Sequence, residues 1–334
     1  MNFTELQERC KNRCFDQIVV VVKDIFQELA DMQRIKNVTP GDVRICTHET
    51  DPGLQNGDGL VKYMERRASF FYENIEICIV EPVEGETIYK KYLDRFGECI
   101  CCVRELVAAD DFDSMVEGYR RKNLKISQWM ASDRCKAAWL DLTEELGILF
   151  EIISDDSEKI VPEQVIHERI AQINITTPNV QKSIEALTKY LEIGPWEVGR
   201  QCNATVHDYG FRVDGKLIPA DFEFLLAILP CGNIEWEVIE PVKGPLVYVD
   251  FLKRRGVGYH HVLQEIPSAQ WTQVQEAYEK AGAWMACKGS LGPVDWCYMN
   301  TETDLHFYTE LRNDAVMTQL PDGYFAYFYP EPEA

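Results

Sequence analysis

The stretch NIEICIVEPVEG at 74–85 recurs as NIEWEVIEPVKG at 233–244, with seven of twelve positions identical. The offset of 159 residues is close to half of the 334-residue chain. The register holds past the match, because Tyr89, Leu93, Arg95 and Gly97 answer Tyr248, Leu252, Arg254 and Gly256. A duplication on this scale restricts the chain to folds built from two copies of one unit. The length agrees, being too great for one ordinary core and suited to two domains of about 150 residues each.

Hydrophobic residues make up 46% of the chain, enough for two cores, yet no apolar run reaches the roughly 18 residues that span a bilayer. The opening MNFTELQERCKNRC is polar and lacks the apolar segment of a signal peptide. A soluble, cytoplasmic protein is expected. Net charge is −21, from 55 acidic and 34 basic residues. Such a field repels phosphate backbones and anionic lipid surfaces, so neither nucleic acid nor a membrane is an expected partner. A small anionic substrate held by local basic groups stays compatible with it. The 12 cysteines are a small share of a long chain, so reduced, buried thiols are expected rather than a disulfide scaffold. Cys99, Cys101 and Cys102 share one apolar run, and no second pair completes a zinc site with Cys10 and Cys14.

The halves repeat one pattern. Residues 15–22 are apolar and β-branched, which predicts a buried strand. Ile25, Phe26, Leu29 and Met32 then follow at helical spacing. The second half offers a strand at 170–176 and a stripe of Ile184, Leu187 and Leu191, with Pro178 before it and Gly194-Pro195 after it. Segments 51–59 and 199–210 read as loops or hairpins. Strands are expected around 68–81 and 221–240, and short helices near 85–96 and 244–255. The pattern restarts at ECICCVREL and at GYHHVLQEI, and closing strands fall at 147–153 and about 304–311. The chain is therefore expected to be α+β, with four βαβββ modules in two domains, 1–155 and 165–334. The acidic segment 154–164, with Asp155, Asp156 and Glu158, divides them as a solvated linker. The aromatic tail PDGYFAYFYPEPEA should pack on its own barrel or on a neighbouring subunit, which leaves a homodimer open.

With FDQIVVVVKD, AQINITTPNV, LEIGPWEV, the two VEP/IEP repeats and GYHHVLQEI in this order, the chain resembles the vicinal oxygen chelate superfamily, which includes glyoxalases, methylmalonyl-CoA epimerases and extradiol dioxygenases. Its second half is most similar to the epimerase branch. The resemblance implies two half-open β-barrels, each of two modules, with a divalent metal ion on a barrel floor. Carried over position by position, it implies Gln172, Glu237 and His261 as metal ligands, with Tyr308 on the closing strand. Because Glu310 and His306 share the strand parity of Tyr308, a slip would bring either in its place. The equivalent set in the first half is Gln17, Cys78, Cys102 and Glu151, a poor home for a hard cation. Five of the six histidines lie at or beyond position 167, which places the site in the second half. If modules exchange between halves, the set becomes Gln17, Cys78, His261 and Tyr308.

Two features depart from the family pattern: Gln172 stands in place of a histidine, and Tyr308 in place of a carboxylate. A His/His/carboxylate triad for ferrous dioxygen chemistry is thereby broken. The expected function is an isomerase or epimerase that moves a proton next to a carbonyl of a small-molecule substrate. Glu237 and His261 would act as base and acid, and Tyr308 with Gln172, or the metal, would stabilise the oxyanion. A glyoxalase-type lyase and a non-catalytic protein that sequesters a small ligand are the alternatives. His260 points to the opposite face and is expected to be structural, as are Trp196 and Trp236.

Overall fold

A computed structural model gives the fold; it describes every residue except 40, 51–52, 58, 133–134, 156–164, 318–323, 325 and 334. Asp156, Glu158 and parts of the 51–59 loop and of the aromatic tail lie outside the described residues. The chain divides into two compact units, one of Arg13–His167 and one that joins Met1–Asn12 to Glu168–Ala334. The boundary expected at 1–155 thus shifts at its front edge. The helix Phe3–Lys11 docks in the later unit, where the Cys10 carbonyl accepts the Gly232 N–H at 2.8 Å and Arg9 pairs with Glu192 at 2.8 Å.

In the Arg13–His167 unit, the strand Cys14–Val21 is central, parallel to Glu76–Glu84 on one side and antiparallel to Cys99–Leu106 on the other. Cys99–Leu106 in turn runs parallel to the closing strand Ile148–Asp155. The later unit repeats this: Ile170–Thr176 lies parallel to Ile234–Lys243 and antiparallel to Gly258–Ile266, which runs parallel to Tyr308–Asn313. The result is two mixed, strongly curled sheets of ten and eleven strands among the described residues, an α+β fold of paired glyoxalase-like modules. Each sheet is made from its own half of the chain, so strands are not exchanged between halves.

Local chemistry explains the repeat. Asp24 and Asn179 stand one residue before the helices Ile25–Lys36 and Val180–Leu191, and each side chain accepts backbone N–H groups of the first turn. Ile184, Leu187 and Leu191 are buried as their spacing requires, but Phe26, placed on the first helix's apolar stripe, is 60% exposed. It lies one position off the i, i+4, i+7 line of Ile25, Leu29 and Met32. Segment 199–210 is not a single loop: it holds the end of the strand Trp196–Cys202 and the start of His207–Val213. The last strand begins at Tyr308, behind a short helix Glu302–Leu305, rather than near 304. His306 caps that helix in a left-handed conformation and so leaves the strand altogether. The tail strand Ala326–Tyr329 pairs with Trp196–Cys202, so the aromatic end packs on its own sheet. Among the described residues, no helix is long and apolar enough to cross a membrane.

Candidate metal centre

Five adjacent strands of the Glu168–Ala334 unit converge on one point. Their order is Val294–Met299, Tyr308–Asn313, Gly258–Ile266, Ile170–Thr176 and Ile234–Lys243. Register does the placing: Tyr298 lies opposite Glu310, and Asn174 beside Glu237. Alternation then turns each of these side chains inward. His261 Nε2 stands 3.0 Å from Glu310 Oε2 and 3.3 Å from Glu237 Oε2. The ligand atoms of Glu237, His261 and Glu310 all lie within 4.8 Å of one another, and all three residues are buried.

Each carboxylate is held in place. Asn174 Nδ2 donates to Glu237 Oε2 at 2.9 Å, and the Thr176 hydroxyl donates to Asn174 Oδ1 at 2.9 Å. The Tyr298 hydroxyl donates to Glu310 Oε2 at 2.8 Å and itself accepts from the Tyr248 hydroxyl at 2.8 Å. Burial disfavours a charge on His261, but hydrogen bonds and charges from Glu237 and Glu310 outweigh it, so its pKa is raised. Burial drives the Tyr298 and Tyr248 hydroxyls well above the usual tyrosine range, with the carboxylates adding to it. Both therefore stay protonated donors. Glu235, two residues before Glu237, is pushed up to about 7 by burial against the pull of Arg312.

The donor set suits a divalent cation. Two carboxylates and an imidazole would supply three ligands. Gln172 supplies the independent sign. Its side chain lines the same cavity, is 1% exposed, and its Nε2 has no hydrogen-bond partner. A buried amide with an unmatched nitrogen is costly, and with the amide turned over the same position presents an oxygen to a cation. The cavity, about 460 Å³, opens above Glu237 and Glu310.

Of the residues expected from sequence, Glu237 and His261 stand side by side, and Gln172 lines the cavity that Glu237 borders. Tyr308 stacks its ring on His260, with centroids 4.9 Å apart. The slip to Glu310 is the one realised. The repeat carried that signal, since the 159-residue offset pairs Glu151 with Glu310, and Leu149 with Tyr308. It also pairs Tyr89 with Tyr248 and Trp139 with Tyr298, the hydroxyl relay that the sequence reading overlooked. Asn174 and Thr176 gave less warning, for Val19 and Val21 stand in their places in the first half.

The first half fills its equivalent position with its own cations. Arg67 and Arg104 are drawn in beside Glu65, Asp16 and Glu76, with Arg104 donating twice to Asp16 at 2.9 Å. Gln17 is already spent on Glu76 at 2.8 Å, and burial pushes the Cys78 thiol up to about 12. The Glu237, His261 and Glu310 group is the only cluster of His, Cys, Asp and Glu ligand atoms of metal-binding geometry among the described residues.

No family model matches the sequence, and no curated protein matches it either. Solved structures do. A triple mutant of 4-hydroxymandelate synthase from Streptomyces coelicolor, 10% identical, matches over 93% of this chain and 95% of that one, with a TM-score of 0.63. A fusion of a xylose isomerase-like TIM barrel with 4-hydroxyphenylpyruvate dioxygenase, 10% identical, matches over 96% of this chain and 51% of that one, with a TM-score of 0.50. The Mn(II)-bound glyoxalase from Novosphingobium aromaticivorans, 12% identical, covers 92% and 83% with a TM-score of 0.49. With the duplicated modules and curled sheets already described, the first of these matches identifies the chain's architecture as a two-domain fold of paired modules like that of 4-hydroxymandelate synthase.

Proposed function

We propose that the protein is a divalent-cation-dependent isomerase or epimerase that moves a proton on the carbon next to a carbonyl, in the cup of the Glu168–Ala334 unit. One observation carries this reading: two buried carboxylates, Glu237 and Glu310, flank one imidazole, His261, at the floor of a cavity. Glu237, His261 and Glu310 would hold the cation, with Gln172 as a fourth donor. A bound divalent cation supplies Lewis acidity towards a carbonyl oxygen.

The chain's own groups account for the rest. Asn174 holds Glu237 and Tyr298 holds Glu310, each by its own hydrogen bond. A carboxylate within reach of the substrate carbon can take the proton and return it. The Tyr248–Tyr298 relay donates into Glu310 and so holds that carboxylate in place beside the substrate. Glu237 is the base in this assignment. The donor set has one imidazole where dioxygen chemistry at ferrous iron uses two with a carboxylate, which favours the redox-neutral reaction. The acid/base groups on the floor likewise favour catalysis over simple sequestration of a ligand.

The test is deuterium exchange from solvent into a panel of carbonyl compounds, with the protein loaded in turn with Mn2+, Zn2+ and Mg2+. Exchange that disappears in Glu237→Gln supports the proposal. Absence of exchange across the panel in cation-loaded protein overturns it.

A further inference from the structure

We propose that the cavity of the Glu168–Ala334 unit receives an uncharged aromatic carbonyl compound, and that Tyr324 of the C-terminal arm forms part of the wall against which its ring packs. The proposal concerns the same cavity as the proton-transfer reading and names the class of molecule that enters it.

The geometry of Gly199 comes first. Glu197 and Gln201 line the cavity, so strand alternation directs position 199 to the same inner face. A Cβ there would lie 2.2 Å from Tyr324 Oη and 2.5 Å from its Cζ. The glycine therefore leaves a socket on the inner wall, and an aromatic ring from a distant part of the chain fills it. The arm that carries this ring is fastened within the same unit. Ala326–Tyr329 extends the sheet along Trp196–Cys202, the Tyr327 hydroxyl donates to Gln181 Oε1 at 2.8 Å, and Phe328 meets Phe3 edge-on with centroids 5.6 Å apart.

Phe224, Trp296, Leu226 and Leu263 line the same cavity as Tyr324. Flat side chains of this kind select flat ligands by offset stacking and edge contacts. Charge selects further. Among the described residues, besides Glu237 and Glu310, the cavity is bordered by Glu197, Glu235 and Glu265, against a single guanidinium, Arg312. That guanidinium is already engaged, 3.3 Å from Glu235 and 3.7 Å from Glu265. Even two positive charges from a bound cation leave the carboxylates in the majority, so an anionic ligand meets repulsion with no free cationic anchor. The volume of about 460 Å³ takes a molecule of two fused rings.

Two probes of one outline separate these elements: 2-acetylnaphthalene, an uncharged ketone, and 2-naphthoate, its anionic counterpart. Binding to the full chain is measured by calorimetry with and without Mn2+. The ketone is expected to bind at least about 10-fold more tightly than the naphthoate. Tyr324→Ala and Gly199→Val, which remove or expel the ring, should each weaken the ketone by about 5- to 20-fold, while Tyr324→Phe keeps affinity within about 2-fold. Thermal melts confirm that the variants are folded. Failure of the ketone to bind, naphthoate binding as tightly as the ketone, or wild-type ketone affinity in folded Tyr324→Ala and Gly199→Val overturns the proposal. A protein that binds the ketone selectively but exchanges no deuterium loses the catalytic reading and keeps this one.

Discussion

His260 Nδ1 lies 2.9 Å from His261 Nδ1, both rings buried. Two neighbouring imidazoles at this distance must share one proton between those nitrogens. Burial and the adjacent His261 hold His260 well below the usual pKa, so it is neutral. A cation held at His261 Nε2 would leave that ring's proton on Nδ1, and the neutral His260 would then accept it at its own Nδ1. His260, expected to be structural, would in that way fix the tautomer of the ring that holds the cation.

Replacing His260 by phenylalanine removes the acceptor and keeps a ring among Phe251, Tyr248 and Tyr308. Affinity for Mn2+ or Zn2+ should fall by about 10- to 100-fold, the usual effect of losing such a partner. His260→Asn keeps an acceptor near the same place and should restore most of it. Calorimetric titration reads the difference. Equal affinity in all three folded proteins would show that the contact is only packing.

Cation binding should also appear in stability. A ligand at about 100 times its Kd adds about 2.7 kcal/mol to a unit that binds it only when folded. Mn2+ should therefore raise the melting temperature of wild type, and a chelator should reverse the shift. Glu310→Gln should lose most of the shift while staying folded, because the amide still accepts from Tyr298 but no longer bears charge. An undiminished shift in that variant would place the cation elsewhere.

In the first unit, burial raises Glu151 from 4.5 to about 6, in spite of Arg104 and Arg67. The unfolded chain then loses this proton at lower pH than the folded one. Stability is lost as pH rises from about 4.5 to about 6 and stays level above, by about 2 kcal/mol in all. Glu151→Gln lacks this loss. Urea melts should show its stability relative to wild type growing by that amount between pH 4.5 and 7, and a flat difference would contradict the assignment.

Gly85 and Gly244 occupy one position of the repeat, both at φ +88°. A Cβ would lie 2.1 Å from the Lys62 carbonyl oxygen in one copy and 2.0 Å from that of Asp221 in the other. Alanine at either site should destabilise its own unit by about 3 kcal/mol or more, through strain and collision with backbone. Gly85→Ala should shift only the unfolding transition of Arg13–His167, and Gly244→Ala only that of the other unit. Such separate shifts would be read from fluorescence and circular dichroism melts.

Much of this was legible because the duplication wrote each half twice. Strand, cap and glycine positions follow from periodicity and recur at Asp24 and Asn179 or at Gly85 and Gly244. His261 and Glu237 stood out as polar groups in apolar strands. What hid was register. Parity left Tyr308 and Glu310 equivalent; the repeat offset favours Glu310, and the pairing of Tyr308–Asn313 with Gly258–Ile266 and Val294–Met299 places it. Asn174 and Tyr298 act across strands, a relation that a one-dimensional pattern expresses only through the other copy. The socket at Gly199 depends on a residue 125 positions away in the chain, beyond the reach of any local rule.

The docking of Phe3–Lys11 into the later unit has a bearing on how the molecule is made. A ribosome makes this segment before residues 13–167, yet its seat against Gly232 and Glu192 exists only after those later residues have emerged. The Arg13–His167 unit can complete its sheet early, while the opening residues wait for a surface not yet synthesised. A fragment begun at Glu168 would lack a helix that belongs to its own unit, so that unit is not a detachable cassette.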